Sequence, residues 1–252
     1  MLATERHKHI LTFLKANKQV SANELADMLN VSRETVRRDL KDLEFGGKIK
    51  RVHGGAILTG PGSEAPFETR KTNNMGAKRE IARSAAELVR PGTSLFIDAG
   101  TTTSTFAREL AKIPEIMVVT NSIEIATHIK SVGNKIDVLL LGGSIVTDVP
   151  ATFGELTLDE IRRFNLDLAF IAPVSVDAKS GAYSYDYREA EIARAMISQS
   201  VKLVTLADSS KIGKTNRVHH CNAEDISILV TDSKADKDQI EIFKKAGVRV
   251  IY

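Results

Sequence analysis

SANELADMLNVSRETVRRDLKDLEFGGKIKRVHGGA occupies residues 21–56. Ser21 followed three residues later by Glu24 is the pattern of a capping box, so a helix opens there. Leu25, Met28 and Leu29 give that helix one apolar stripe. A short link around Asn30-Val31 leads to Ser32, a second cap, and then to a helix with Val36, Leu40 and Leu43 on its buried side. Gly46-Gly47 stop it. KIKRVHGGAI alternates apolar and polar residues around a Gly-Gly turn and reads as a short β-hairpin. Two helices joined by a tight turn, the second rich in arginine, followed by a basic hairpin, predict a winged helix-turn-helix whose second helix enters the major groove. Arg33, Arg37 and Arg38 suit guanine edges or phosphate oxygens, and Ser32 and Thr35 can reach either. Ser21 joins them as a candidate DNA contact, and Arg51 and His53 on the hairpin suit the DNA backbone or minor groove. In isolation the arginines would read as a solvated face paired with Glu34, Asp39 and Asp42; the complete arrangement favours double-stranded DNA.

Upstream, TERHKHILTFLKA (4–16) sets Ile10, Leu11 and Leu14 at helical spacing with Thr4 as a cap. Downstream, ILTGPGSEAPFETRKTNN (57–74) carries two prolines and two glycines, the composition of a boundary. The expected organisation is a DNA-binding head at 1–57, a linker at 58–74 and a larger domain at 75–252. Charge divides in the same way. Residues 1–60 hold 11 Lys and Arg against 7 Asp and Glu, whereas the remainder holds 24 against 25, so the basic part is the head. One cysteine, Cys221, excludes an internal disulfide framework and a cysteine-built zinc cluster. The histidines form no metal-ligand set, and His219-His220 reads as a surface pair; no metal or cofactor is expected. No stretch approaches the roughly 18 apolar residues of a membrane span, and the N-terminus lacks a signal-peptide core. The expected setting is a reducing cytoplasm.

From residue 92, SLFIDAG, IMVVTN, DVLLLGG, LAFIAPV, KLVTLAD, ISILVTD and VRVIY are short apolar runs separated mostly by amphipathic stretches such as SIEIATHIK and REAEIARAMISQ. Alternating strands and helices predict βαβ units, hence an α/β domain with a mainly parallel sheet covered on both faces. In such a sheet ligands bind beyond the carboxyl ends of the strands. Five strand ends carry suitable groups. Asp98, Gly100, Thr101, Thr102 and Thr103 follow the first strand into a helix, where a glycine, hydroxyls and helix N–H groups suit an anion. Thr120, Asn121 and Ser122 end the second, Gly142 and Gly143 the third. Asp186, Tyr187 and Glu189 follow the fourth, and Lys211 after the fifth supplies a cation. Singly, these read as helix caps, a first-turn acid and a solvated lysine; together they read as a site for a phosphorylated polyhydroxy compound.

The 31–56 stretch closely resembles the N-terminal signature of the DeoR family of bacterial sugar-metabolism regulators, and IDAGTTT, VVTNS, LGG and LADSSKIGK continue the resemblance through nearly the whole chain. The resemblance implies a sensor domain similar in fold to ribose-5-phosphate isomerase that binds a phosphorylated sugar or related metabolite. Carried over by motif, Gly100 to Thr103 and Lys211 would hold the phosphate, while Asp98, Asn121, Asp186 and Glu189 would face hydroxyls. APVSVDAKSGAYSYDY departs from the family's more glycine-rich pattern here, which leaves a polyol phosphate or sugar-acid phosphate open as effector. The implied activity is transcription regulation, read as repression of a sugar or polyol catabolic operon, by a homodimer or homotetramer. The alternative is a sugar-phosphate isomerase fused to a DNA-binding head, with Glu189 as base; nothing else in the sequence reads as its acid/base partner.

Overall fold

The computed structural model describes residues 2–17, 19–45, 48–52, 55–58, 64–133 and 135–252. The chain divides into two units, Met1–Thr72 and Asn73–Tyr252. In the first, α1 (Ala3–Asn17) is followed by β1 (Gln19–Ser21), α2 (Ala22–Leu29), α3 (Arg33–Phe45), β2 (Ile49–Val52), β3 (Gly55–Leu58) and α4 (Phe67–Thr72). Helix α1 starts one residue ahead of Thr4, so Thr4 lies inside the helix rather than capping it. β1 pairs with β3, making the expected hairpin the outer part of a three-stranded sheet. Ile10, Leu14, Leu25, Leu29, Val36, Leu40, Leu43 and Ile49 form the core, each fully buried aliphatic side chain contributing about 1.5–3 kcal/mol. Ala26, not Met28, completes the α2 stripe, and Met28 is exposed. The stretch read as linker contains α4, whose first residue, Phe67, is buried.

The second unit begins with α5 (Met75–Ala86) and then runs β4 (Ser94–Ile97), α6 (Thr101–Leu110), β5 (Ile116–Thr120), α7 (Ile123–Val132), β6 (Ile136–Leu140), α8 (Glu155–Ile161), β7 (Leu166–Ile171), β8 (Ser175–Asp177) and β9 (Gly181–Ser184). It ends with α9 (Tyr187–Ser198), β10 (Ser200–Leu206), β11 (Val218–Cys221), β12 (Ile226–Val230), α10 (Lys237–Lys245) and β13 (Arg249–Ile251). All seven apolar runs are strands of one sheet, ordered β13-β12-β10-β7-β4-β5-β6 and parallel at every pairing. Burial on both faces explains why these runs are continuously apolar rather than alternating. Phe106 of α6 packs on Phe170 of β7, ring centroids 4.4 Å apart, at the middle of this core. The chain moves outward from β4 through β5 to β6, then returns to place β7 on the other side of β4. The order therefore reverses between β4 and β7, the switch point at which a parallel sheet opens a crevice beyond its carboxyl ends.

A second, antiparallel sheet, β11-β9-β8, was not anticipated. It corrects the reading of His219-His220. His220 is buried, its Nδ1 3.2 Å from Ser184 Oγ, and desolvation pushes its pKa down to about 3, so it is neutral. Burial pushes the neighbouring Cys221 thiol up to about 12, removing it from nucleophilic chemistry.

Candidate functional sites

In the first unit, Ser21 and Glu24 form the expected box: Glu24 N–H donates to Ser21 Oγ (3.1 Å) and Ser21 N–H donates to the Glu24 carboxylate (2.8 Å). The hydroxyl of Ser21 is thus engaged in starting α2. Asn30 takes the left-handed conformation that ends α2, φ 50°, and Val31 N–H returns to Ala26 O. Ser32 Oγ accepts from Thr35 N–H (3.1 Å) and hydrogen-bonds the Thr35 hydroxyl (2.8 Å), capping α3. Arg33, Arg37 and Arg38 project from α3 into solvent. One of the three acids that could have neutralised them points elsewhere. Asp39 is buried and receives Arg6 Nε and Nη2 at 2.7 and 2.9 Å, with His7 Nε2 3.2 Å away, which ties α1 to α3. Among the described residues Arg37 makes an exposed contact to Glu34 at 3.9 Å, an arrangement of little energetic weight. α3 is therefore fixed from behind by a buried ion pair and presents a cationic face. Arg51 is exposed on β2, its N–H donating to Glu44 (2.9 Å). His53 lies outside the described residues.

In the second unit, the groups at the β4/β7 switch point are held by two tethers. Asp98 Oδ2 accepts Ala172 N–H at 3.0 Å, and Lys211 Nζ donates to Pro173 O at 2.7 Å. An acid from the β4 exit and a cation from the β10 exit thus meet consecutive residues of the β7 exit. Helix α6 begins here, and its N-cap is Gly100, which supplies no side-chain cap to the first-turn N–H groups. A Cβ at Gly100 would stand 3.1 Å from Thr103 Oγ1 and 3.4 Å from the Ala172 methyl, so the glycine leaves that space between α6 and the β7 exit clear. Thr103 is not a free donor: its hydroxyl donates within the turn to Asp98 O (2.9 Å) and Gly100 O (3.0 Å). Thr101 and Thr102 are buried beside it.

The β5 exit is differently employed. Thr120 Oγ1 donates to Ile97 O (2.7 Å) and accepts Ser122 N–H (3.0 Å), stitching β5 to β4. Ser122 Oγ caps α7 by accepting Ile125 N–H at 3.2 Å. Asn121 donates to Thr152 O (3.0 Å), while its buried Oδ1 has no hydrogen-bond partner among the described residues. Gly142 and Gly143 follow the edge strand β6, two places from β4, and are closed over by α8. Gly142 N–H donates to Glu160 (2.6 Å), and Gly142 O accepts from the Thr157 hydroxyl (2.6 Å). Gly143, at φ 142°, has no room for a Cβ. Asp186 caps α9 and receives Arg188 Nε at 2.9 Å; this hydrogen bond is the main reason its carboxyl lies below the usual carboxylate range. Tyr187 faces solvent with Arg188 over its ring, and Glu189 is half-buried on the same turn.

Sequence reasoning overlooked Ala172 and Pro173, because β7 was not known to neighbour β4. It also overlooked Asn74, whose amide reaches Asp208 (3.2 Å), and buried Lys78 one turn later. Asp232 at the β12 exit holds Ser209 N–H (2.6 Å) and Ser209 Oγ (3.0 Å), orienting the turn that carries Lys211.

Residues 6–61 match the DeoR-like helix-turn-helix domain, and residues 73–233 match the DeoR C terminal sensor domain. The chain belongs to the DeoR family. It is 35% identical over its whole length to the HTH-type transcriptional regulator GlpR of Haloferax volcanii, of which it covers 98%. It is 33% identical to the glycerol-3-phosphate regulon repressor of Escherichia coli over 92% of each chain. Identity to the HTH-type transcriptional repressor GlcR of Bacillus subtilis is 30%, covering 100% of this chain and 96% of that one. Among solved structures, ribose 5-phosphate isomerase A of Methanocaldococcus jannaschii aligns over 54% of each chain with a TM-score of 0.40 and 19% identity. The chain is a DNA-binding transcription regulator with a sensor domain, not an isomerase. Among the described residues, no helix is long and apolar enough to cross a membrane, and no three His, Cys, Asp or Glu side chains gather as a metal site.

Proposed function

We propose that this DeoR-family regulator represses an operon for catabolism of a sugar or polyol and leaves its operator when a phosphorylated sugar or polyol binds the β4/β7 crevice. The observation that carries this reading is the glycine-capped start of α6 at the switch point, with Lys211 tethered across the crevice mouth. Unpaired N–H groups at a helix N-terminus, a partial positive charge and a lysine suit a phosphate dianion. Asp98 and the buried Oδ1 of Asn121 are acceptors, the chemistry that selects hydroxyls. Thr101 and Thr102 line the anion turn. Glu189 is the candidate for discriminating between sugars, Asp186 being engaged by Arg188, while Thr103, Thr120 and Ser122 support the turn structures. Arg33, Arg37 and Arg38 read the operator, with Ser32 and Thr35 ordering the start of the reading helix and Arg51 on the wing. The name of one relative, the glycerol-3-phosphate regulon repressor, directs attention to glycerol 3-phosphate.

One winged helix covers little DNA, so the regulator acts as a homodimer or homotetramer on repeated half-sites, in the cytoplasm. Release requires the effector to bind the DNA-free arrangement more tightly than the DNA-bound one. The test titrates glycerol 3-phosphate, hexose phosphates and their unphosphorylated parents into the protein–operator complex, with thermal denaturation alongside. A phosphorylated member should raise the melting temperature and release the DNA, while its parent does neither. Equal action by the parent would refute the phosphate site.

A further inference from the structure

The Gly142-Gly143 turn is closed to ligand, yet it is surrounded by apolar side chains turned to solvent. Leu140, Ile145, Val146 and Leu156 are 43, 63, 47 and 56% exposed. Leu156 lies on Gly142: its Cδ2 would be 3.2 Å from a Cβ built there. Immediately after the glycines, Ser144 and Phe153 exchange N–H···O bonds of 2.9 Å in both directions, closing the base of a loop that presents Ile145 and Val146. At Gly143 a Cβ would fall 2.2 Å from Thr157 Oγ1 and 2.7 Å from Phe153 O, so only glycine permits this turn. The other exposed large hydrophobics, such as Leu2, Met28, Tyr187, Val201 and Tyr252, lie on separate elements. Side chains gathered at one place in this way mark a contact surface.

β6 is also an edge of the sheet. Leu141 N–H bonds inward to Thr120 O. By strand alternation, Val138 and Leu140 turn their N–H and C=O groups to the open side. Residues 136–147, IDVLLLGGSIVT, carry one charge, Asp137, so the strand edge and loop are mainly apolar, with Asp148, Glu155 and Asp159 exposed at their margin. Such a surface suits a copy of itself: in a two-fold contact the same apolar groups face each other, and two identical edge strands run antiparallel. A standard interface needs about 800 Å² per partner, more than four partly exposed aliphatic side chains supply, so the strand edge must take part.

We infer that the β6 exit, comprising the open strand edge with Leu140, Ile145, Val146 and Leu156, is the surface on which a second copy of this chain docks. The inference rests on the oligomeric reading above and assigns it a place; Gly142 and Gly143 serve this interface rather than the effector. The test is sedimentation velocity of the full chain at micromolar concentration, without DNA or effector, for the wild type, the double variant Ile145→Glu/Val146→Glu, and Tyr252→Glu beside the opposite edge strand. The wild type and Tyr252→Glu should sediment as a dimer or larger. The double variant should be smaller, with an unchanged far-ultraviolet spectrum, and should bind the operator about tenfold or more weakly because two heads are no longer linked. Its thermal response to the active sugar or polyol phosphate should persist, so that a mass change is read independently of the effector site. A monomeric wild type, an unchanged mass for the double variant, or dissociation by Tyr252→Glu alone would overturn the inference. So would a double variant that keeps its mass and loses the phosphate response, which would make the loop a cover for the effector.

Discussion

The exits of β4 and β5 are adjacent in the sheet, and both lead through hydroxyl-rich turns into helices of ten residues, yet they are built for different purposes. At β5, Ser122 closes the end of α7 and Thr120 ties the turn to the neighbouring strand. At β4, Thr103 satisfies carbonyls within the turn, but the N-cap is glycine and gives the first N–H groups of α6 no side-chain cap. The same chemistry in sequence therefore yields a finished helix end in one case and, in the other, a glycine-capped end that the proposed function gives to the phosphate. A hydroxyl is informative about ligand binding only once its own partner is known. The more telling residue at β4 is the one without a side chain.

The sharpest way to break this contrast is to cap α6. Gly100 has φ −153°, an extended conformation open to any residue, so Gly100→Asp puts no strain on the backbone, and its Cβ needs the Thr103 hydroxyl, 3.1 Å away, to yield slightly. An aspartate there would occupy the N–H groups and place a negative charge where the phosphate belongs. Effector affinity should fall about a hundredfold or more, roughly 3 kcal/mol, with operator binding retained. Calorimetric titration with the active phosphate checks this, and wild-type affinity would show that α6 does not hold the ligand.

Lys211→Ala tests the opposite wall. A charge-assisted contact to phosphate is worth roughly 1.5–3 kcal/mol, so affinity should drop about ten- to a hundredfold. The variant should remain on the operator at effector concentrations that release the wild type. Because Lys211 Nζ also donates to Pro173 O, Lys211→Arg serves as a companion. It keeps the charge and should recover part of the response. Equal loss in both variants would assign Lys211 to holding the β7 exit rather than the phosphate.

How much of this was legible beforehand follows from what sequence records. The seven strands of the sheet were legible, because a strand buried on both faces must be continuously apolar. The capped pair α2 and α3 was legible, because caps are local. The order of the strands was not, since it depends on contacts between distant residues, and so the importance of Ala172 and Pro173 at the switch point was hidden. Also hidden was the small antiparallel sheet, whose strands are three or four residues long and include the polar run VHHC. The linker reading missed α4 because flanking prolines and glycines dominated a six-residue helix. At the site, residue types were visible and commitments were not: Asp186 bound to Arg188, and Gly142 bound to Glu160 and Thr157, look the same in sequence as groups awaiting a ligand.

The smallest expected effect is the most discriminating. Ser122→Ala removes the hydroxyl that accepts Ile125 N–H and leaves α7 as uncapped as α6. Loss of such a cap costs about 1 kcal/mol, which for a chain of this size lowers the melting temperature by roughly 2–4 °C. Since Ser122 is buried and its oxygen is already used, effector affinity should change less than about twofold. The two outcomes separate the roles of the adjacent helix ends. A stability loss with unchanged affinity keeps α7 structural and α6 as the receptor. A tenfold loss of affinity with little change in stability would mean that Ser122 leaves its helix to meet the ligand, and that the effector spans both exits. An increase in affinity would be equally instructive: N–H groups released at α7 would then be adding to the field that α6 supplies, because two uncapped N-termini at adjacent strands act on the same anion. Measuring melting temperature and affinity on one preparation distinguishes all three.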